Sequence, residues 1–268
     1  MKLSLSLARP AVLSGLALLV SLNVALAQPK PAEEYTPSVG QAGKDVVWVP
    51  TPQALVDKMM EMAKVTPSDF VIDLGSGDGR TVITAAKRGA KAHGIEYNPD
   101  MVELSKRNAA KEGFGDKTVF MKADLFESDF SQATVITMFL LPDINLRLRP
   151  KILDLKPGTR IVSNTFTMGD WEPDEVATVT EGCTSYCKAS FWIVPAKVGG
   201  TWKLPQGELA LEQTYQMLKG TLKNGSSSVA ISDAKMTGDQ ISFTANGTKF
   251  TGKVNGNTIE GTWRATRG

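Results

Sequence analysis

The stretch Phe70-Val-Ile-Asp-Leu-Gly-Ser-Gly-Asp-Gly-Arg80 constrains this chain more than any other. A short apolar run, Phe70 to Leu74, follows Pro67 and passes directly into Gly75, Gly77 and Gly79. A helical pattern then runs from about Gly79 to Arg88. A strand, a glycine-rich turn and a helix make a general anion and nucleotide site. The glycines let backbone N–H groups approach a ligand, and the helix N-terminus favours polar or negative groups.

The same alternation continues downstream. Lys91–Glu96, Thr118–Lys122, Thr134–Leu140 and Arg160–Phe166 read as further strands. Helices fill the gaps, one capped by Asn98 with Pro99 at its first position. A helix before the first strand is expected to start at Thr51 as N-cap, with Pro52 following and Leu55, Met59, Met62 and Ala63 on one face. This rhythm predicts a doubly wound α/β sheet, Rossmann-like, with parallel strands. Val176–Thr180 and Ala189–Val194 have no long helix between them and predict an antiparallel hairpin at one edge.

After Pro195 the pattern changes. Glycines recur at short intervals, and Ile241/Phe243, Phe250/Val254 and Ile259/Trp263 alternate between them. This predicts a small antiparallel all-β domain, a meander bracketed by Gly200-Thr201-Trp202 and Gly261-Thr262-Trp263. At the other end, Lys2, Arg9, the apolar residues 11–20 and Ala25-Leu26-Ala27 resemble a secretory signal, too short to span a bilayer comfortably. An uncleaved anchor is the competing reading. The expected layout is signal peptide 1–27, linker 28–45, α/β domain 46–198 and β-meander 199–268. The protein is expected to be exported, periplasmic or secreted, with no stable membrane span once the signal is removed.

Charge excludes one class of partner. The chain has 30 Lys plus Arg against 28 Asp plus Glu; Lys2 and Arg9 lie in the leading segment, which has no acidic residue, so the remainder is balanced. No bulk positive field is left to attract nucleic acid, and no nucleic-acid partner is expected.

The acidic residues narrow the ligand. The dinucleotide fingerprint needs its third glycine five positions after the first, and here that position is Arg80. Asp73 precedes the turn and Asp78 lies in it, which suits a cation without phosphate. S-adenosylmethionine, with its amino group and sulfonium, is such a ligand. Glu96 ends the second strand, where it can accept bonds from both ribose hydroxyls. Asp124 and Leu125 follow the third and suit the adenine. The expected cofactor residues are Asp73, Gly75, Ser76, Gly77, Asp78, Gly79, Glu96, Asp124 and Leu125; the acids Asp73, Glu96 and Asp124 lie at carboxyl ends of strands, where open α/β sheets bind ligands.

From Val46 to Val198 these residues resemble a class I, seven-strand methyltransferase. Within that class Val49-Pro50-Thr51-Pro52, Phe139-Leu140-Leu141-Pro142-Asp143-Ile144-Asn145, Leu148-Arg149-Pro150-Lys151 and Gly169-Asp170-Trp171 are similar to the ATP synthase c-subunit lysine methyltransferase family and its bacterial relatives. The resemblance implies a protein substrate with a lysine acceptor. It departs at the fifth strand, which in the family commonly ends in His-Asp-Phe and here reads Asn164-Thr165-Phe166.

Thr51, Phe139, Leu140, Pro142 and Trp171 are the candidates for the acceptor pocket. Each also has a plainer reading as a helix cap, core or packing residue, and no general base is assigned. Cys183 and Cys187 fit a local disulfide in an exported chain, or two unpaired small residues. Two thiols alone cannot build a tetrahedral zinc site, and no metal is expected. His93 lies in an apolar strand and reads as structural. A small-molecule methyltransferase, or a catalytically silent envelope binding protein keeping the fold, are the alternatives.

Overall fold

The computed structural model describes Met1, residues 34–205 and residues 207–267. The expected signal peptide lies outside the described residues. Tyr35 to Gly268 form one compact unit. Among the described residues no helix is long and apolar enough to cross a membrane.

The first part of that unit runs α1 (Gln53–Met62), β1 (Phe70–Leu74), α2 (Arg80–Lys87), β2 (Lys91–Glu96), α3 (Pro99–Lys111), β3 (Thr118–Lys122), β4 (Val135–Met138), α4 (Pro142–Leu153), β5 (Arg160–Asn164), β6 (Glu175–Thr178) and β7 (Lys188–Ile193). The strands make one seven-stranded sheet in the order β3-β2-β1-β4-β5-β7-β6. The first five are parallel; β7 runs antiparallel to β5 and β6 antiparallel to β7. Side chains alternate between faces. Val71, Ala92 and Val162 pack with Leu55, Val82 and Val102 of α1, α2 and α3. Ile72, Ile136 and Ile161 pack with Ile144, Leu148 and Ile152 of α4 on the other side.

Polar groups fix the base of the sheet. Asp69, buried before β1, accepts from the Thr66 backbone and the Thr134 hydroxyl and pairs with Arg160 at the start of β5. Asn98 caps α3, accepting from the Asp100 amide at 2.9 Å. The α1 start corrects the expectation. Pro52 occupies the cap position without a side-chain cap, and buried Thr51 turns inward, its hydroxyl accepting from Asn164 Nδ2 at 3.2 Å. His93 packs edge-on against Phe70, and burial lowers its pKa, as suits a structural residue.

The remaining strands are β8 (Gly200–Leu204), β9 (Gly207–Thr214), β10 (Met217–Asn224), β11 (Ser227–Ala230), β12 (Ser232–Thr237), β13 (Gln240–Ala245), β14 (Thr248–Asn255), β15 (Thr258–Gly261) and β16 (Arg264–Arg267). They do more than meander. β9 pairs with both β8 and β10, β10 passes to β12, and β16 returns to β8, so the antiparallel sheet closes on itself. Closure pairs the edges that a meander would expose, leaving β11 as a short flap on β10. Its interior is filled by Trp202, Leu209, Met236, Ile241, Phe243 and Ile259, with Trp263 packed against them.

The two sheets share a contact. Tyr215, in the β9–β10 turn, stacks on Trp171 with ring centroids 5.8 Å apart and donates its hydroxyl to Asp170 at 3.0 Å. Gln216 Nε2 donates to the Glu172 carbonyl, and the Ala196 amide to the Gly238 carbonyl, both at 2.8 Å.

Candidate active site

The glycine turn after β1 is built from left-handed backbone. Gly75, Gly77 and Gly79 have φ of 77°, 54° and 84°, where a side chain is strained. At Gly77 space is also closed: a Cβ would lie 2.7 Å from Trp48 Nε1. Gly79 is a packing position. Its Cβ would meet Phe120 and Ser105 at 2.9 Å, and it is not among the residues lining the cleft. Its place is the N-cap of α2, behind the cleft lining.

The turn is pinned from beneath. The Gly75 and Ser76 amides donate to the Ile95 carbonyl, Ser105 donates to the Gly77 carbonyl, and Asn108 to the Asp78 carbonyl. Glu96 accepts from the Gly77 amide and from the Asn98 amide, each at 2.9 Å. Its carboxylate therefore holds the turn as well as lining the cleft. Gly94 in β2 lets Ser76 approach, since a Cβ there would sit 2.5 Å from Ser76 Oγ. Sequence reading gave Gly94 no role.

The cleft is acidic where the turn meets β1 and β2. Asp73 is buried and accepts from the Thr137 hydroxyl at 2.6 Å. Burial pushes it up to about 7, against the pull of the Thr137 and Thr81 hydroxyls and with the added push of the Glu96 and Asp78 charges. Asp78 pairs with Arg80, whose other arm donates to the Thr51 carbonyl. Ser76 Oγ is buried with no hydrogen-bond partner among the described residues. A buried carboxylate short of positive charge, an orphaned hydroxyl and a glycine cradle fit a cationic nucleoside such as S-adenosylmethionine.

Asp124 and Leu125 line the cleft two and three residues beyond β3. The Asp124 carboxylate is engaged by Lys44, which also lies 4.7 Å over the Tyr97 ring. That hydrogen bond holds Lys44 above its ordinary pKa and Asp124 below its own. Lys44 belongs to a strap, Gln41 to Thr51, that lines the cleft along its whole length. The linker reading of 28–45 missed this, although Val46-Val47-Trp48-Val49 was an apolar signal.

On the acceptor side the expectations divide. Thr51, Phe139 and Leu140 line the cleft. Pro142 does not; it starts α4. Trp171 is fully buried between Trp192 and Tyr215, away from the cleft lining. The turn at Gly169, with φ of 68°, folds it inward. Two lining residues were not foreseen, Phe166 and Tyr186. Asn145 and Arg149 of α4 hold the Phe166 turn, donating to the Phe166, Thr167 and Met168 carbonyls. This gives the Pro142–Asn145 and Leu148–Pro150 stretches a structural purpose. Cys183 and Cys187 are joined by a disulfide, with Cα atoms 5.7 Å apart. No cluster of three metal-ligating side chains occurs among the described residues.

Strand order, glycine turn and acidic cleft together define a class I S-adenosylmethionine-dependent methyltransferase. The model of the ANTKMT methyltransferase domain matches residues 73–175. A protein-lysine N-methyltransferase of Saccharolobus islandicus is 46% identical over 140 residues, covering 51% of this chain and 87% of that protein. The human lysine N-methyltransferase of the ATP synthase c-subunit is 35% identical over 144 residues, 53% of this chain and 61% of its own length. A solved RNA methyltransferase from Salinibacter ruber, in complex with S-adenosyl-L-homocysteine, is 44% identical with a TM-score of 0.53, covering 56% of this chain and 96% of that one. The chain belongs to the ANTKMT methyltransferase family. The matched domain ends before β8, so the closed β-sheet lies outside it.

Proposed function

We propose that this protein transfers a methyl group from S-adenosylmethionine to a lysine side chain of another protein. The observation that carries the reading is one continuous cleft, acidic and glycine-lined over β1 and β2, aromatic over β4 and β5. Identity to lysine methyltransferases supports the choice of acceptor.

Bound cofactor supplies a methyl on a sulfonium, a leaving group already activated. The protein's residues position and desolvate the reactants. Asp73 and Glu96 would hold the cationic and ribose portions, and the strap would exclude water from one side. The acceptor lysine arrives as an ammonium and must release its proton before it can attack. With cofactor bound, a neutral lysine nitrogen would accept the methyl, the electron pair of the methyl–sulfur bond remaining on sulfur. It gains the positive charge and then releases a proton to water.

The test is incubation of the protein with methyl-labelled cofactor and a cell-envelope extract. Label removed by protease, and recovered as methyllysine after acid hydrolysis, is the expected result. Label removed by ribonuclease or retained in small molecules would overturn the lysine reading. We further propose export, on the n-region, h-region and small-residue site before Gln28; the Cys183–Cys187 pair suits an oxidising compartment. A mature N-terminus at Gln28 in exported material is expected, and an intact Met1 in the cytosolic fraction alone would refute it.

A further inference from the structure

Three aromatic side chains from three segments meet where the carboxyl ends of β4 and β5 lie beside the amino end of β7. Phe139 follows β4, Phe166 follows β5, and Tyr186 lies in the β6–β7 turn. Their ring centroids are 6.1 Å apart for Phe139–Phe166, 5.1 Å for Phe139–Tyr186 and 6.4 Å for Phe166–Tyr186. All three line the same cleft as Asp73 and Glu96. Phe139 and Phe166 are half-buried, whereas Tyr186 is 41% exposed.

The backbone under this cluster is costly. Thr165, immediately before Phe166, has φ of 58°, and Tyr186 has φ of 54°. Residues other than glycine rarely adopt that region, and a β-branched threonine least of all. Each is held by specific bonds. The Thr165 amide donates to the Lys188 carbonyl at 2.7 Å, and its hydroxyl donates to Asn164. Tyr186 sits inside the loop that Cys183 and Cys187 close, with the Val179 amide donating to the Cys187 carbonyl below it. A left-handed tyrosine on an exposed turn needs such a fastening, because its ring is covered on the Phe139 and Phe166 side alone.

We propose that Phe139, Phe166 and Tyr186 form an aromatic wall that receives the cationic head of the acceptor lysine, and that the Cys183–Cys187 disulfide is a positioning element that keeps Tyr186 in it. The inference rests on the lysine-acceptor reading above. Aromatic faces attract ammonium groups through the ring quadrupole, more strongly once water is excluded. The same faces suit the positive charge that the lysine nitrogen gains on methylation. The disulfide is only partly buried, so reductant can reach it. Acceptor binding is then redox-sensitive, and cofactor binding is not.

The test needs no knowledge of the natural acceptor. The probe is an S-adenosylhomocysteine analogue in which nitrogen replaces sulfur and carries a 2-aminoethyl arm, so that its ammonium falls close to the position of the acceptor nitrogen. The same nitrogen analogue carrying a methyl group in place of the arm is the reference. Both are titrated calorimetrically into the full chain without reductant. The armed probe is expected to bind about tenfold tighter than the reference in the wild type. Tyr186→Ala, and separately Cys183→Ser with Cys187→Ser, should lose most of that gain and keep the reference affinity within about twofold. Tyr186→Phe should keep the gain. If Tyr186→Ala keeps the full gain, the wall is misassigned while the lysine reading stands. If only the double serine variant keeps it, the disulfide has no positioning role. A larger loss of reference affinity in either variant would place the turn on the cofactor side and overturn the proposal. An arm that brings no gain in the wild type would bring down the lysine reading itself.

Discussion

The two sheets of this molecule spend their strand ends differently. The seven-stranded sheet is open, with helices on both faces, and its parallel strands deliver Asp73, Glu96, Phe139 and Phe166 to one edge. The second sheet closes on itself, fills its interior with Trp202, Phe243 and Met236, and among the described residues supplies none to the cleft. An open parallel sheet collects functional groups from distant parts of the chain. A closed antiparallel one of this size uses its inward positions for packing. Their contact through Tyr215 and Trp171 lies at the Asp170–Glu172 turn and joins the closed sheet to the α4-side core.

The sharpest way to break that comparison is at the open edge. Gly77→Val places a side chain against Trp48 in a left-handed position and should abolish binding of S-adenosylhomocysteine measured by calorimetry. Binding retained by a folded Gly77→Val protein would mean that the ligand does not approach this turn. Glu96→Ala comes next. It removes charge-assisted bonds to the ligand and frees the Gly77 amide, a loss of about 1.5–3 kcal/mol in cofactor affinity. Titration at wild-type affinity would remove Glu96 from the site.

The pH dependence is smaller and has a defined sign. Burial pushes Asp73 up to about 7, above the value of an unfolded carboxyl. Its contribution to the ligand-free fold is therefore fully present below the unfolded value and is lost as pH rises through about 7. A cationic ligand needs the ionised form, so cofactor affinity should move the other way. It should fall by roughly tenfold between about pH 8 and about pH 6. Asp73→Asn should bind more weakly and flatten that profile. A wild-type profile that is already flat would show that Asp73 does not face the cation.

The smallest expected effect on binding comes from the other sheet. Tyr215→Ala removes the stack on Trp171 and the bond to Asp170. It should cost about 1–3 kcal/mol of stability by denaturant melt while leaving cofactor affinity unchanged. A large loss of affinity would show that the closed sheet shapes the cleft after all.

Much of the cofactor half was legible because it is local. The turn from Asp73 to Arg80 carries its own glycines and acids, and strand ends mark Glu96. The alternating pattern gave the doubly wound sheet and the edge hairpin, and the Gly-Thr-Trp pair brought β8 beside the end of the tail. What sequence reading missed depends on long-range geometry. Trp48 meets Gly77 only once the strap folds over the turn. Tyr186 reaches Phe139 only because β7 reverses beside β5. Trp171 follows β5 as the pocket candidate did, but the turn at Gly169 folds it into the core. Thr51 has the composition of a helix cap, yet its partner is Asn164, a pairing 113 residues long in sequence. The paired Gly-Thr-Trp triplets already set the first strand of the tail near the last, whereas the passage of β10 from β9 to β12 has no local signal.

The measurement that tests this division most directly is amide hydrogen exchange on the full chain with and without S-adenosylhomocysteine. The expected protection falls on Asp73–Arg80, on Glu96–Asn98 and on the strap from Gln41 to Pro50, with exchange from Gly200 to Arg267 unchanged. Protection of the closed sheet with no change at the glycine turn would contradict the account.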